Sequence, residues 1–359
     1  MATQGDFNRL RCDKAHPSAP HCCATSAAVR RNHGAHMTKF RAEQRIAAQK
    51  FGTKRIVRPQ HALLDGSGPR DMVNFCRSEG ILIPMLEGQR PSAAADTIPR
   101  AIGAMTLSTK QVANRSGIDR FRTSGATKVA FPRSAQAVEG IVVNTSGGLT
   151  GGDAFTAAGH AGKNSHLVLT SQAAERAYRS TDGVARVRTR LSADAGATLH
   201  WLPQELIVFD GAALDRCLDI DVAPGAELVM AEPIVFGRAA MGETTVTGHL
   251  RDQITLRSNG TLRYWDRIAL TGDITTLLNR PAVADGMTAL ATAMYLGPRA
   301  QALLPAVRDA LPATGAASLI ADDLLIVRVL AADSFFLRQS LIPVLHLLTK
   351  TTLPKSWSL

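Results

Sequence analysis

The stretch from Thr127 to Tyr264 most narrows the folds open to this chain. It consists of short β-branched or alternating runs, often separated by glycine-containing turns. Runs at 128–131, 138–143, 166–170, 184–191, 198–202 and 206–209 read as strands. The clearest alternation sets Leu214, Leu218, Ile220 and Val222 on one face against Asp215, Cys217, Asp219 and Asp221 on the other. Runs at 254–257 and 261–265 flank Ser258-Asn259-Gly260, and Asn-Gly favours the left-handed turn of a tight hairpin.

The last third changes period. An Ala-rich stretch at 281–296 and a weaker one at 301–311 read as helices, and 324–330 returns to strand. Leu337, Leu341, Leu345 and Leu348 then recur at helical spacing over 334–350, with Asp333 or Ser334 as the cap and Pro343 expected to kink the helix. The expected fold is mostly β, a layered β-rich scaffold with a few helices appended towards the C-terminus. No repeat of fixed period is visible.

Charge divides the chain in two. Residues 1–100 hold 16 Lys and Arg against 8 Asp and Glu, whereas the remaining 259 hold 25 against 22, so the net charge of +11 belongs mainly to the first hundred. Four of the five cysteines (Cys12, Cys22, Cys23 and Cys76) are also there, without paired metal-site spacing. The expected organisation is a basic, unstructured leader over 1–96 and a β-rich domain over 97–359. No apolar stretch approaches the roughly 18 residues of a membrane span, and no signal-peptide core opens the chain, so the expected location is the cytoplasm. Aromatics make up only 5%, which argues against an aromatic platform for nucleic acid.

The chemistry-bearing motifs are mostly missing. The glycines at 147–152 are not followed by the Lys-Ser/Thr of a phosphate loop, and no nucleophile-elbow, zinc-protease or paired-cysteine motif occurs. What remains is a set of carboxylates near turns and strand ends: Asp153, Glu175, Glu205, Asp210, Glu232 and Glu243. Two other functions fit parts of the chain. One is a β-rich hydrolase working through two carboxylates such as Asp153 and Glu205; the other is a basic nucleic-acid-binding module in residues 1–100.

Five segments, in order, resemble one family. Residues 143–153 (VNTSGGLTGGD) are similar to the segment N-T-(A/S/P)-G-G-(L/I)-(T/V)-G-G-D of the urease accessory proteins UreD, also called UreH. Residues 170–180 (TSQAAERAYRS) resemble that family's T-x-Q-(A/C)-x-E-(K/R)-x-Y-(K/R), and 201–210 (WLPQELIVFD) resemble W-L-P-Q-E-x-I-x-F-D. Residues 237–243 (GRAAMGE) resemble G-R-x-(A/S)-x-G-E, and 354–357 (PKSW) resemble the closing P-(K/R)-x-W. The resemblance spans roughly residues 97–359 and leaves the leader uncovered.

The resemblance implies a mostly β, non-enzymatic scaffold that helps insert nickel into apo-urease. It implies a complex with a UreF-type partner and, through it, a UreG-type GTPase. No permanent cofactor is expected, only nickel in transit, and carboxylates release such an ion more readily than thiolates. The six acids above are the candidates for lining its passage. Tyr178, Arg179, Gln204 and Arg238 are candidates for loop or partner contacts, and so are Phe335, Leu341 and Leu345 on the last helix. A membrane role is not expected, nor is nucleic acid as a partner.

Overall fold

The computed structural model describes residues 99–134 and 136–358. The basic leader and its four cysteines lie outside the described residues. In chain order the first strands are β1 (Ile102–Val112), β2 (Arg115–Gly125), β3 (Thr127–Ala130), β4 (Val138–Asn144), β5 (Ala154–Ala161) and β6 (His166–Ser171). Next come β7 (Glu175–Ala177), β8 (Ala185–Ala193), β9 (Thr198–Leu202), β10 (Leu206–Val208), β11 (Ala212–Val222) and β12 (Glu227–Phe236). The remaining strands are β13 (Thr247–Ser258), β14 (Thr261–Asp273), β15 (Ala289–Leu296), β16 (Gly315–Ala321) and β17 (Leu324–Ala331). Among the described residues there are also three α-helices, α1 (Ile274–Leu278), α2 (Ala300–Ala310) and α3 (Ser334–Thr349), and two short 3-10 turns, Ala239–Met241 and Lys355–Trp357.

The middle of the chain winds as a β-solenoid-like coil. It rises through β4, β6, β9 and β12, which pair in parallel in one sheet. It descends through β5, β8, β11 and β13, which pair in parallel in the other. Parallel sheets need both faces covered. Here the inner faces cover one another, burying Leu107, Leu167, Leu199, Leu228, Leu218 and Ile220 between them. Antiparallel hairpins end the stacks, β1 with β2 and β13 with β14 in one sheet, and β3 with β4 and β16 with β17 in the other, where β15 joins β17 to β12 by antiparallel pairing on both sides.

At one end the coil turns through tight corners. Asn164, Gly196 and Gly225 take positive φ there (56°, 72° and 78°), roughly thirty residues apart, a spacing typical of solenoid repeats. The corners also stack by backbone bonds, Asn164 N to Ala195 O and Gly196 N to Gly225 O. This is the repeat that the sequence conceals: the coils differ in loop length, so no fixed period survives.

Most expected strands are present, with bounds moved by a few residues. The Asn-Gly hairpin joins β13 and β14, with φ of 51° at Asn259 and 75° at Gly260. One expectation is corrected. The stretch 281–296 is not a helix: its first part is a turn with positive φ at Asp285 and Gly286, and the rest is β15, paired between β12 and β17. Its alanines reflect close packing rather than helix propensity, since Ala289, Ala291 and Ala293 lie in one buried cluster with Leu337, Leu341 and Leu345 of α3.

The Asp333 side chain accepts the Phe336 amide at 2.9 Å and so caps α3, which contains Pro343. Leu341 and Leu345 are among the candidates for partner contacts. Both are buried core residues, because the helix turns its leucine stripe onto the sheet. Phe335 and Phe336, at the helix start, are exposed and stack edge to face. Among the described residues no helix is long and apolar enough to cross a membrane.

Candidate functional site

Opposite the tight corners, the same coil turns through four long ones: 145–153, 172–184, 203–211 and 237–246. These carry four of the five family-like segments, so motifs far apart in sequence are neighbours in space. The first corner needs its glycines for close packing. A Cβ at Gly148 would lie 2.3 Å from the Tyr178 ring, and one at Gly151 would lie 2.1 Å from the Asp182 carbonyl oxygen. Leu149 and the second corner exchange backbone bonds, Leu149 N to Arg176 O and Tyr178 N to Leu149 O, both 2.7 Å.

The six candidate acids fall into different settings. Asp153 caps its own turn, accepting the Thr150 amide at 2.8 Å and the Ala101 amide at 2.7 Å. Asp210 pairs with Arg179 and accepts both the amide and the hydroxyl of Thr247. The Thr247 amide and hydroxyl hold its carboxyl below the usual range. Glu243 accepts Arg238 Nη2 at 3.1 Å, and its Oε1 also lies 3.3 Å from the Asp210 amide. Tyr178 meets Phe209 edge to face, Arg238 lies over the same Phe209 ring at 4.4 Å, and the Tyr178 hydroxyl donates to the Gly147 carbonyl.

Glu205 and Gln204 belong to a clamp built around Arg338 of α3. Arg338 Nη1 donates to Gln204 Oε1 at 2.7 Å and to Glu205 Oε1 at 2.9 Å, while Nη2 reaches the Trp357 carbonyl at 3.1 Å. The guanidinium also lies over the Trp357 ring, and Trp357 Nε1 donates to the Leu202 carbonyl at 2.9 Å. The fifth family-like segment is thereby fastened beside the third.

Glu175 and Glu232 are different, because both line one cavity of about 260 Å³ between the sheets. Asn144, Glu175 and Gln204 stand at its corner end, and Trp201, Arg216 and Glu232 line it between the sheets. Burial raises the Glu175 carboxyl, opposed by donation from Asn144 Nδ2, 3.2 Å from Oε2. Burial likewise raises Glu232, against the pull of Arg216. Trp201 Nε1 donates to Glu232 Oε1 at 2.5 Å, and Arg216 makes a two-bond pair with Asp252, its register partner on β13.

Arg216, Asp252, Trp201, Asn144 and Arg338 were not among the residues singled out from the sequence. Arg216 did leave a signal, since it stands in phase with Leu214 and Leu218 on the apolar face of β11. A charged residue at such a position requires a buried partner. Among the described residues, no group of three or more His, Cys, Asp and Glu side chains is placed to hold a metal ion.

The fold and these corners define a layered β scaffold with a cavity, lined in part by two carboxylates, at the corner end of its two sheets. The chain matches the model of the UreD urease accessory protein family over residues 101–358. It is 48% identical over 262 residues to a urease accessory protein UreD of Roseobacter denitrificans, covering 73% of this chain and 96% of the relative. It is 44% identical over 257 residues to the UreD of Ruegeria pomeroyi (71% and 100%), and 41% over 262 residues to that of Agrobacterium fabrum (72% and 92%). The chain belongs to the UreD family of urease accessory proteins.

Proposed function

We propose that this chain is a non-catalytic, cytoplasmic scaffold for urease maturation. It docks on apo-urease with a UreF-type partner and a UreG-type GTPase, and nickel passes through it as cargo. The observation that carries the reading is the inter-sheet cavity with Glu175 at its corner end and Glu232 deeper in. Carboxylates, amides and hydroxyls bind a late divalent ion less firmly than thiolates, as transit requires and storage does not. Asp153, Glu205, Asp210 and Glu243 serve the corners around the cavity, holding loops in place through the bonds described above. Asp153 and Glu205 are separately committed to backbone amides and to Arg338, which disfavours a hydrolase using them as a pair.

The test is urease expressed with its accessory set, with and without this chain, read by nickel content and activity. Loss of both without the chain, restored by adding it back together with co-purification of apo-urease, supports the reading. Full nickel loading in its absence overturns it.

A further inference from the structure

The outer face of the sheet that holds β6 and β9, across its backbone from the inter-sheet cavity, carries a separate constellation. His166 on β6 and His200 on β9 are diagonal neighbours there, since His200 registers with Val168. They flank the leucines Leu167, Leu169 and Leu199, which face the interior. The rings meet edge to face at 4.7 Å, and His166 Nε2 stands 3.5 Å from His200 Nδ1. Both histidines line a pocket of about 260 Å³ that is walled further by Glu139, Ser134, Thr351 and Thr352.

The 3.5 Å gap is longer than the roughly 2.7–3.2 Å of a good N–H···O or N–H···N bond, so the direct contact is weak. It suits a shared ion better. A cation about 2.1 Å from each nitrogen would subtend roughly 110–115° between them, close to tetrahedral. Burial keeps both rings neutral at physiological pH, lowering His166 and pushing His200 down to about 3, so each keeps a lone pair. Arg299 beside His200 and Lys355 beside Glu139 are nearby cations that oppose an ion here, and Glu227, 3.9 Å from Arg299 and also near His166, offsets the first.

We propose that His166 Nε2 and His200 Nδ1 form a binding site for a borderline divalent cation such as Zn²⁺, completed by water and the hydroxyls of the pocket. Each ring then keeps its proton on its other nitrogen. The site is separate from the maturation reading and does not depend on it.

The test uses the full-length chain titrated with Co²⁺ as the optical probe. The His166→Gln variant should bind one equivalent fewer than wild type, and His166→Cys should regain it with a thiolate-to-cobalt charge-transfer band. Equal binding by wild type and His166→Gln overturns the proposal. Should circular dichroism show that a variant does not fold, Zn²⁺ is titrated into wild-type protein labelled with ¹⁵N at histidine. Shifts at His166 Nε2 and His200 Nδ1 support the site, and unmoved resonances overturn it.

Discussion

Arg216 of β11 and Glu232 of β12 meet across the space between the two sheets, Nη1 standing 2.6 Å from Oε2. That oxygen receives no well-directed hydrogen bond, so charge rather than bond geometry holds this contact. Asp252 completes the balance on the other side of the guanidinium. The pair is thus a buried polar bridge between the sheets, which a second ion pair, Arg328 of β17 with Asp266 of β14, also joins, and it borders the cavity.

Removing one member of this bridge leaves an uncompensated buried charge. Arg216→Ala is expected to destabilise the protein by about 3–5 kcal/mol. Replacing Arg216, Glu232 and Asp252 together with Met, Gln and Asn should recover much of that loss. Urea unfolding midpoints of the two variants check the prediction, and an Arg216→Ala midpoint equal to wild type would show that the bridge carries no stability.

Glu175 links stability to pH with a definite sign. Its folded carboxyl sits above the ordinary 4.5, so the folded state binds a proton more tightly than the unfolded chain. Its contribution is therefore most favourable at acid pH, and stability declines as pH rises from 4.5 through the raised value. Glu175→Gln should be more stable than wild type at neutral pH and indistinguishable from it in acid. If Glu175 lines the nickel passage, the same variant should deliver less nickel to urease. Unfolding curves across pH, set beside urease nickel content, separate the two effects.

The last helix offers two substitutions with opposite readouts. Leu341 is 1% exposed, and Leu341→Ala should cost about 2–5 kcal/mol by leaving a cavity. Phe335 is 66% exposed, and Phe335→Ser should change stability by no more than about 0.5 kcal/mol. If the exposed aromatic pair is a docking element, Phe335→Ser alone should weaken capture of the UreF-type partner or apo-urease while remaining folded. Undiminished capture would place docking elsewhere.

Much of the scaffold was readable from local pattern. β9 coincides with its run at 198–202, and the Asn259-Gly260 turn has the two positive φ angles such a hairpin needs. The 281–296 stretch misled because alanine suits a helix by propensity and a crowded central strand by size, and only β12 and β17 on either side decide between them. β12 itself, buried along nearly its whole length, has no alternation to mark it.

The candidate site divides in the same way. Five of the acids, Asp153, Glu175, Glu205, Asp210 and Glu243, stand in the distinctive local segments that also carry the family resemblance, whereas Glu232 lies between two of those segments. Their roles could not be assigned: Asp153 and Glu175 are both turn or strand-end acids in the sequence, yet one caps a turn and the other lines a cavity.

The sequence by itself determined the β character, the turns, the capped last helix and the family, because each depends on residues within a few positions of one another. Only the tertiary structure decided that four distant segments are successive corners of one coil, that Arg338 fastens the C-terminal segment to the third of them, and that Arg216 faces Glu232 across the sheets. Those relations depend on how many residues each corner spends before the chain returns, and on which face of each strand turns inward. Both are settled by the mutual burial of two sheets, which no local pattern records.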